Sequence, residues 1–284
     1  MSALVHAWRR FWFAPIEAGR VEALRRGLGL VLLAYVISWG IHIDEWLTVG
    51  GFHPSPRADP LRAPRLPLLP RSIAPAVGIA YLVVMGAWLL GLARRLTSWL
   101  VWAGVVYVTA ADPISAFTIN RLFMITLLIL ALSEQRTRGL ISAWPLRMVQ
   151  VLLLTHYFAS GLCKCFHGDW LDQTDVLWTQ VQGIYMTDAA AWSIRAVSPQ
   201  LWTWIQHTAL GFELAAPLLF SLRRTRTFAL LFGLAFHVII AVSMFKLIYF
   251  SAQMVALYIV FVPVATLRRW GLAPDDTSPG VSTP

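Results

Sequence analysis

The 284-residue chain is 58% hydrophobic, only 13% charged, and has a mean hydropathy of +0.64. A soluble domain carries about a quarter charged residues, so that class is excluded, and apolar runs near the ~20 residues that cross a hydrocarbon core recur along the chain. The net charge of +9 rests on arginines placed between those runs, which signals membrane topology rather than a nucleic-acid surface.

In chain order, Met1 to Arg26 mixes Trp, Phe and Pro with five arginines. It does not read as a signal peptide and predicts an interfacial lead-in with its aromatic residues at headgroup level. Eight spans are predicted next, at Gly27–Ile43, Ile73–Leu92, Leu96–Ala111, Thr118–Leu132, Met148–Cys165, Leu201–Leu222, Thr227–Phe245 and Tyr249–Leu267. The expected fold is therefore all-α, a polytopic helical membrane protein in which residues 1–270 make a single transmembrane domain. Arginines fall in every second loop: Arg94 and Arg95, then Arg136, Arg138 and Arg147, then Arg223, Arg224 and Arg226, then Arg268 and Arg269. That alternation predicts both termini in the cytoplasm. The first outer loop, Asp44–Arg71, departs from it with four arginines, and its "PSPRADPLRAPRLPLLP" segment predicts extended or polyproline-like chain. The acidic loop Phe166–Gln200 contains "VLWTQVQGIYMTDAAAWSI", too interrupted to span and expected to lie along the interface. The tail 271–284, "GLAPDDTSPGVSTP", predicts disorder.

Polar residues in lipid-facing segments are costly, so each one asks for a reason. In the fifth span His156, Ser160 and Lys164 recur every fourth residue, and Cys163 lies seven after His156, so the four share a slowly drifting face. Lys164 is one of two lysines against 21 arginines. Two roles are open for it: a cation snorkelling to the boundary, or a base, because a desolvated ammonium gives up its proton while a guanidinium stays charged. For Lys246, in a short turn, snorkelling is the stronger reading. Glu213 and His237 fall near mid-membrane in the sixth and seventh spans, where a contact between them would serve either helix register or catalysis. Gln206 shares the face of Glu213. Asn120 and Arg121 open the fourth span, and His42 closes the first beside Ser38 and Glu45. His156, His207 and His237 lack ligand spacing, so no metal is predicted. The two cysteines, Cys163 and Cys165, point about 200° apart on a helix and cannot bridge without unwinding. After the fifth span Trp170 reads as a belt residue, and Asp169 either orients Lys164 or His167 or caps the next segment. No nucleotide loop, nucleophile elbow or C-x-x-C pair is present.

The run Tyr157-Phe-Ala-Ser-Gly-Leu-Cys-Lys164, with Asp169-Trp170 after it, resembles the membrane region of vitamin K-dependent γ-carboxylases and the HTTM family built on it, including SdpB-like bacterial members. The "FELAAPLL" of Phe212–Leu219 and the stretch Phe236–Pro263, with its Phe236-His237, Phe250-Ser251 and Phe-x-Pro pattern, agree in order and spacing. The resemblance implies a reduced vitamin K or menaquinol cofactor with O2, and Lys164 as the base that deprotonates the quinol. Oxygenation then gives a strongly basic intermediate and the epoxide; in the carboxylases, that base deprotonates a substrate glutamate to which CO2 adds. On this reading Lys164, His156, His237 and Glu213 are the catalytic residues, and Tyr157, Ser160, Cys163, Asp169, Trp170 and Phe250 contact the quinone. The carboxylases also carry a large β-rich lumenal region, absent from this sequence, so an epoxidase- or oxygenase-like enzyme is expected, with a small secreted peptide or toxin precursor as partner in a bacterial inner membrane. Two alternatives stand beside it: a non-catalytic membrane factor for toxin maturation, export or immunity, and a thiol–quinone oxidoreductase working through Cys163 and Cys165.

Overall fold

The computed structural model describes residues 2–114, 116–136 and 139–274. Residues 275–284 of the expected disordered tail, and Arg138 of the third basic loop, lie outside the described residues. The chain is mostly helical and divides into two compact units, Met1–Arg147 with Val262–Pro284, and Met148–Phe261.

The first unit contains α1 (Ala3–Phe13), β1 (Pro15–Glu17), α2 (Ala18–Gly40), α3 (Ile43–Trp46), α4 (Ala74–Leu90), α5 (Arg94–Ala111), α6 (Thr118–Leu132) and β2 (Leu140–Ser142). β1 and β2 pair antiparallel with Ile16 opposite Ile141. The helices follow the apolar runs. The α4–α5 turn is closed by Gly91, whose φ of 78° is the left-handed conformation that glycine adopts without a Cβ penalty. Beside that turn, ahead of the apolar run that begins at Gly27, Glu22 binds Arg25, Arg26 and Arg94. The Arg25 guanidinium also donates to the carbonyl of Trp88, taking up an acceptor at the open end of α4. The Pro-rich loop is turned rather than extended. Ala58 and Asp59 donate to the Ser55 carbonyl, and the Asp59 carboxylate accepts from the amides of Leu61 and Arg62, because a short acidic side chain can substitute for a backbone turn.

α7 (Trp144–His167) begins in the first unit and carries most of its length into the second, which adds α8 (Val176–Val181), α9 (Asp188–Ala196), α10 (Pro199–Ser221), α11 (Arg226–Ser243) and α12 (Ile248–Leu257). α10 starts where sequence rules place it: the Ser198 side chain caps the amide of Leu201, and Pro199 occupies the first turn. The interrupted loop is two short helices, α8 and α9. It is tied to the end of α11 by bonds from the Thr187 amide and hydroxyl to the carbonyls of Ser243 and Val242. The expected last span, Tyr249–Leu267, is broken. α12 ends at Leu257, a 3-10 segment covers Tyr258–Phe261, and a separate α13 runs Val264–Arg269 in the first unit. Pro263 causes the break, since it has no amide hydrogen to donate and disfavours helical backbone in the residue before it.

α7 and α11 are long and apolar enough to cross a membrane, and only 22% and 17% of their apolar windows is buried. A core helix of a soluble protein hides such a surface. Here Met148, Val151 and Phe158 on α7, and Leu231, Leu234 and Val238 on α11, are exposed.

Candidate functional site

The second unit encloses a cavity of about 490 Å³, within the ~300–1,000 Å³ range of small-molecule sites. α7 supplies His156, Tyr157, Ser160 and Lys164; α10 supplies Glu213; α11 supplies His237; α12 supplies Phe250. Trp170, from the turn after α7, closes one side. The rest of the wall is largely apolar, including Phe232, Phe236, Ile239 and Met254.

At its polar end Lys164 Nζ donates to Glu213 Oε1 at 2.5 Å. The lysine side chain keeps 23% of its exposure and the glutamate 6%, so the pair is desolvated on the carboxylate side and reachable on the amine side. Trp170 lies with its ring centroid 4.5 Å from Nζ, a cation–π contact that stabilises the charged amine. The other carboxylate oxygen, Oε2, is buried with no hydrogen-bond partner among the described residues, although the Ser160 hydroxyl lies beside the group.

The backbone builds this arrangement. Gly161, one turn before Lys164, stands where a Cβ would come within 2.9 Å of the Leu214 side chain and 3.2 Å of its amide nitrogen, so a glycine there lets α10 close on α7. Pro217 removes the amide that would bond the Glu213 carbonyl, loosening α10 at the residue carrying the carboxylate. After α7, Gly168 approaches the Lys164 backbone within a Cβ contact of 3.0 Å, and Asp169 adopts a left-handed φ of 56°, a conformation Asp tolerates better than most residues. The chain thereby turns back and lays Trp170 over the lysine. Gln206, fully buried, holds that turn, donating to the carbonyls of Trp170 and Gln173 and accepting from the Leu177 amide.

Eight of the ten residues singled out by sequence line this one cavity, and Cys163 and Asp169 do not. Cys163, one residue before the cavity-lining Lys164 and about 100° from it around the helix, is exposed outside the cavity. Cys165 packs against the cluster of Trp170, Ala209 and Leu210. Asp169 acts through its backbone and is exposed. Glu213 and His237, expected to meet, are bonded elsewhere: Glu213 to Lys164, and His237 Nε2 to the Tyr157 hydroxyl at 2.7 Å. The close approach at Gly161 brings the carboxylate to the lysine, while Tyr157 occupies the histidine. Lys246 lies outside the cavity, exposed, with its amine 5.8 Å from the Tyr185 ring, and His207 is exposed.

Sequence reading missed Tyr258, which is buried and in hydrogen-bond contact with the Tyr157 hydroxyl, and Gly233, where a Cβ would overlap the Tyr258 hydroxyl. A glycine inside an apolar helix, where it weakens the helix unless something packs against it, was the available signal for both Gly161 and Gly233.

The HTTM domain family model matches residues 130–265, just under half of the chain. The segment is similar to HTTM domains. Its bounds contain the whole second unit, and with it every residue of the cavity. HTTM domains are associated with vitamin K-dependent carboxylase-like membrane proteins, which agrees with the two exposed apolar helices. No curated protein and no solved structure matches the chain.

Proposed function

We propose that the HTTM-like domain is a membrane-embedded, quinol-oxidising centre in which Lys164 and Glu213 together accept a proton from a reduced naphthoquinone of the vitamin K or menaquinone type. The reading is supported above all by one observation: the Lys164–Glu213 pair, with a carboxylate oxygen left unpartnered among the described residues, stands at the polar end of an otherwise largely apolar cavity. Such a site suits a flat, lipid-soluble molecule bearing a hydroxyl at its rim, and Phe232, Phe236 and Phe250 would hold its rings.

With O2 the balanced reaction is quinol plus O2 giving quinone epoxide plus water, in which the quinol gives up four electrons, two in reaching the quinone level and two in reaching the epoxide. The chain's own residues handle the protons. The Lys164–Glu213 contact holds one acidic proton at rest and takes a second from the hydroxyl of the bound molecule. Trp170 covers the resulting ammonium, and the apolar walls keep out water that would compete for the proton. Arginine in place of Lys164 would keep the charge but not the base. A multi-pass arrangement in the cytoplasmic membrane, with both termini inside, gives the quinol lateral access from lipid. In purified protein supplied with reduced menaquinone and oxygen, epoxide should form; Lys164→Ala, assayed on protein shown to be folded by circular dichroism and size-exclusion chromatography, should form none. Equal epoxide from Lys164→Ala would end the proposal.

A further inference from the structure

The Tyr157 hydroxyl stands between two buried groups, His237 Nε2 and the Tyr258 hydroxyl. Two bonds join three groups, and the chain can run in two directions. In one, Tyr258 donates to Tyr157, which donates to Nε2. In the other, Nε2 carries the hydrogen and donates to Tyr157, which donates to Tyr258. The second direction strands the Tyr258 hydrogen: that hydroxyl abuts Gly233, and no group besides Tyr157 is bonded to it among the described residues. A buried hydrogen without an acceptor is costly, and each direction leaves one, on the Tyr258 hydroxyl or on His237 Nδ1; His237 lines the cavity, where a bound molecule can accept it, and Tyr258 does not, so the first direction is favoured. His237 is 1% exposed and pairs with no carboxylate among the described residues. As a neutral imidazole it carries one hydrogen, and since Nε2 accepts, that hydrogen is on Nδ1, a buried nitrogen without a partner among the described residues.

We propose that Tyr258 is a positioning residue: acting through Tyr157, it holds His237 as the Nδ1–H tautomer, so that the cavity wall carries one N–H donor reserved for an acceptor oxygen of the bound molecule. The tautomer rests on hydrogen-bond accounting together with the place of His237 in the cavity wall; the identity of that oxygen as a quinone or quinol oxygen rests on the proposed function. Tyr258 thereby gives the site a second polar contact besides the Lys164–Glu213 pair, without itself lining the cavity.

Nitrogen NMR of the full chain in lipid nanodiscs, with labelled histidine, reads the tautomer directly. The His237 signals are identified by their loss in His237→Gln. Without any ligand, wild type should show a protonated Nδ1 and an unprotonated Nε2. In Tyr258→Phe the chain loses its first donor, Tyr157 becomes free to accept from Nε2–H, and the Nδ1–H to Nε2–H ratio should fall about fivefold, the worth of one hydrogen bond. A wild-type ring protonated on Nε2 or on both nitrogens overturns the assignment, even if the variant fails to fold. An unchanged ratio in folded Tyr258→Phe overturns the positioning role. Added menaquinone should shift the Nδ1 signal, and an unmoved signal overturns the donor role. Epoxide formation, measured on the same samples, tests the proposed function separately, because the tautomer is read with no substrate present.

Discussion

Two glutamates, one in each unit, are each bound to cations in a low-exposure setting, and they differ in what is left over. Both oxygens of Glu22 are used: Oε1 accepts from Arg25, Arg26 and Arg94, and Oε2 from Arg25 and Arg94. Among the described residues Glu213 has a single cation, Lys164, and its second oxygen has no hydrogen-bond partner. The first cluster is built from arginines, whose forked guanidinium keeps its charge and fixes geometry. The second is built from a lysine, whose amine can gain and lose a proton, and it opens onto a cavity. A saturated cluster holds helices; an unsaturated one on a cavity has capacity left for chemistry.

The sharpest way to break that comparison is to remove each carboxylate. Glu22→Ala leaves Arg25 buried without its counter-ion and should cost about 3–5 kcal/mol, seen as a large fall in the thermal midpoint in detergent. A neutral outcome would mean that the first cluster is not structural. Next in size, Gly161→Ala forces a Cβ against Leu214 and should cost about 1–3 kcal/mol as overpacking, with a parallel drop in epoxide formation as Glu213 is pushed away from Lys164. A loss of stability with full activity would separate the close approach from the site.

The pH response of the Glu22 cluster is smaller and more specific. Burial alone would raise the Glu22 carboxyl, but the hydrogen bonds and charges of Arg25 and Arg94 outweigh it and hold the pKa at about 2, below the ordinary 4.5. A carboxyl depressed in the folded state stabilises above its unfolded pKa and loses that contribution as pH falls through the folded value. The difference in midpoint between wild type and Glu22→Gln should therefore stay constant from neutral pH down to about 4.5 and shrink only below it. Smallest of all, Cys163→Ser with Cys165→Ser should leave epoxide formation unchanged, since neither thiol lines the cavity; a loss would revive the thiol–quinone reading.

Much of this was legible in the residues. The apolar runs placed α4, α5, α6, α7, α10 and α11 within a few residues of where they lie, because burial and lipid contact both demand long unbroken apolar helices, whereas α2 starts nine residues before the run at Gly27. The spacing of His156, Ser160 and Lys164 put three residues on the cavity face of α7, since helical periodicity is local. Pairings between helices were not legible. That Glu213 meets Lys164 rather than His237 depends on how closely α10 approaches α7, which Gly161 decides, and no single-helix period encodes it. Cys163 fell on the edge of that drifting face and lies outside, because it sits about 100° around the helix from Lys164, which lines the cavity. Trp170 was readable as a belt residue, and only the turn at Gly168 and Asp169 shows that it folds back onto the lysine.

The central claim is that the amine at position 164 is there to move a proton and not merely to hold a charge. Lys164→Arg, assayed for oxygen uptake with reduced menaquinone after confirming that it still pairs with Glu213 and still binds the oxidised quinone, tests that most directly. The account predicts retained binding and no oxygen uptake above a protein-free control; uptake at the wild-type rate would contradict it.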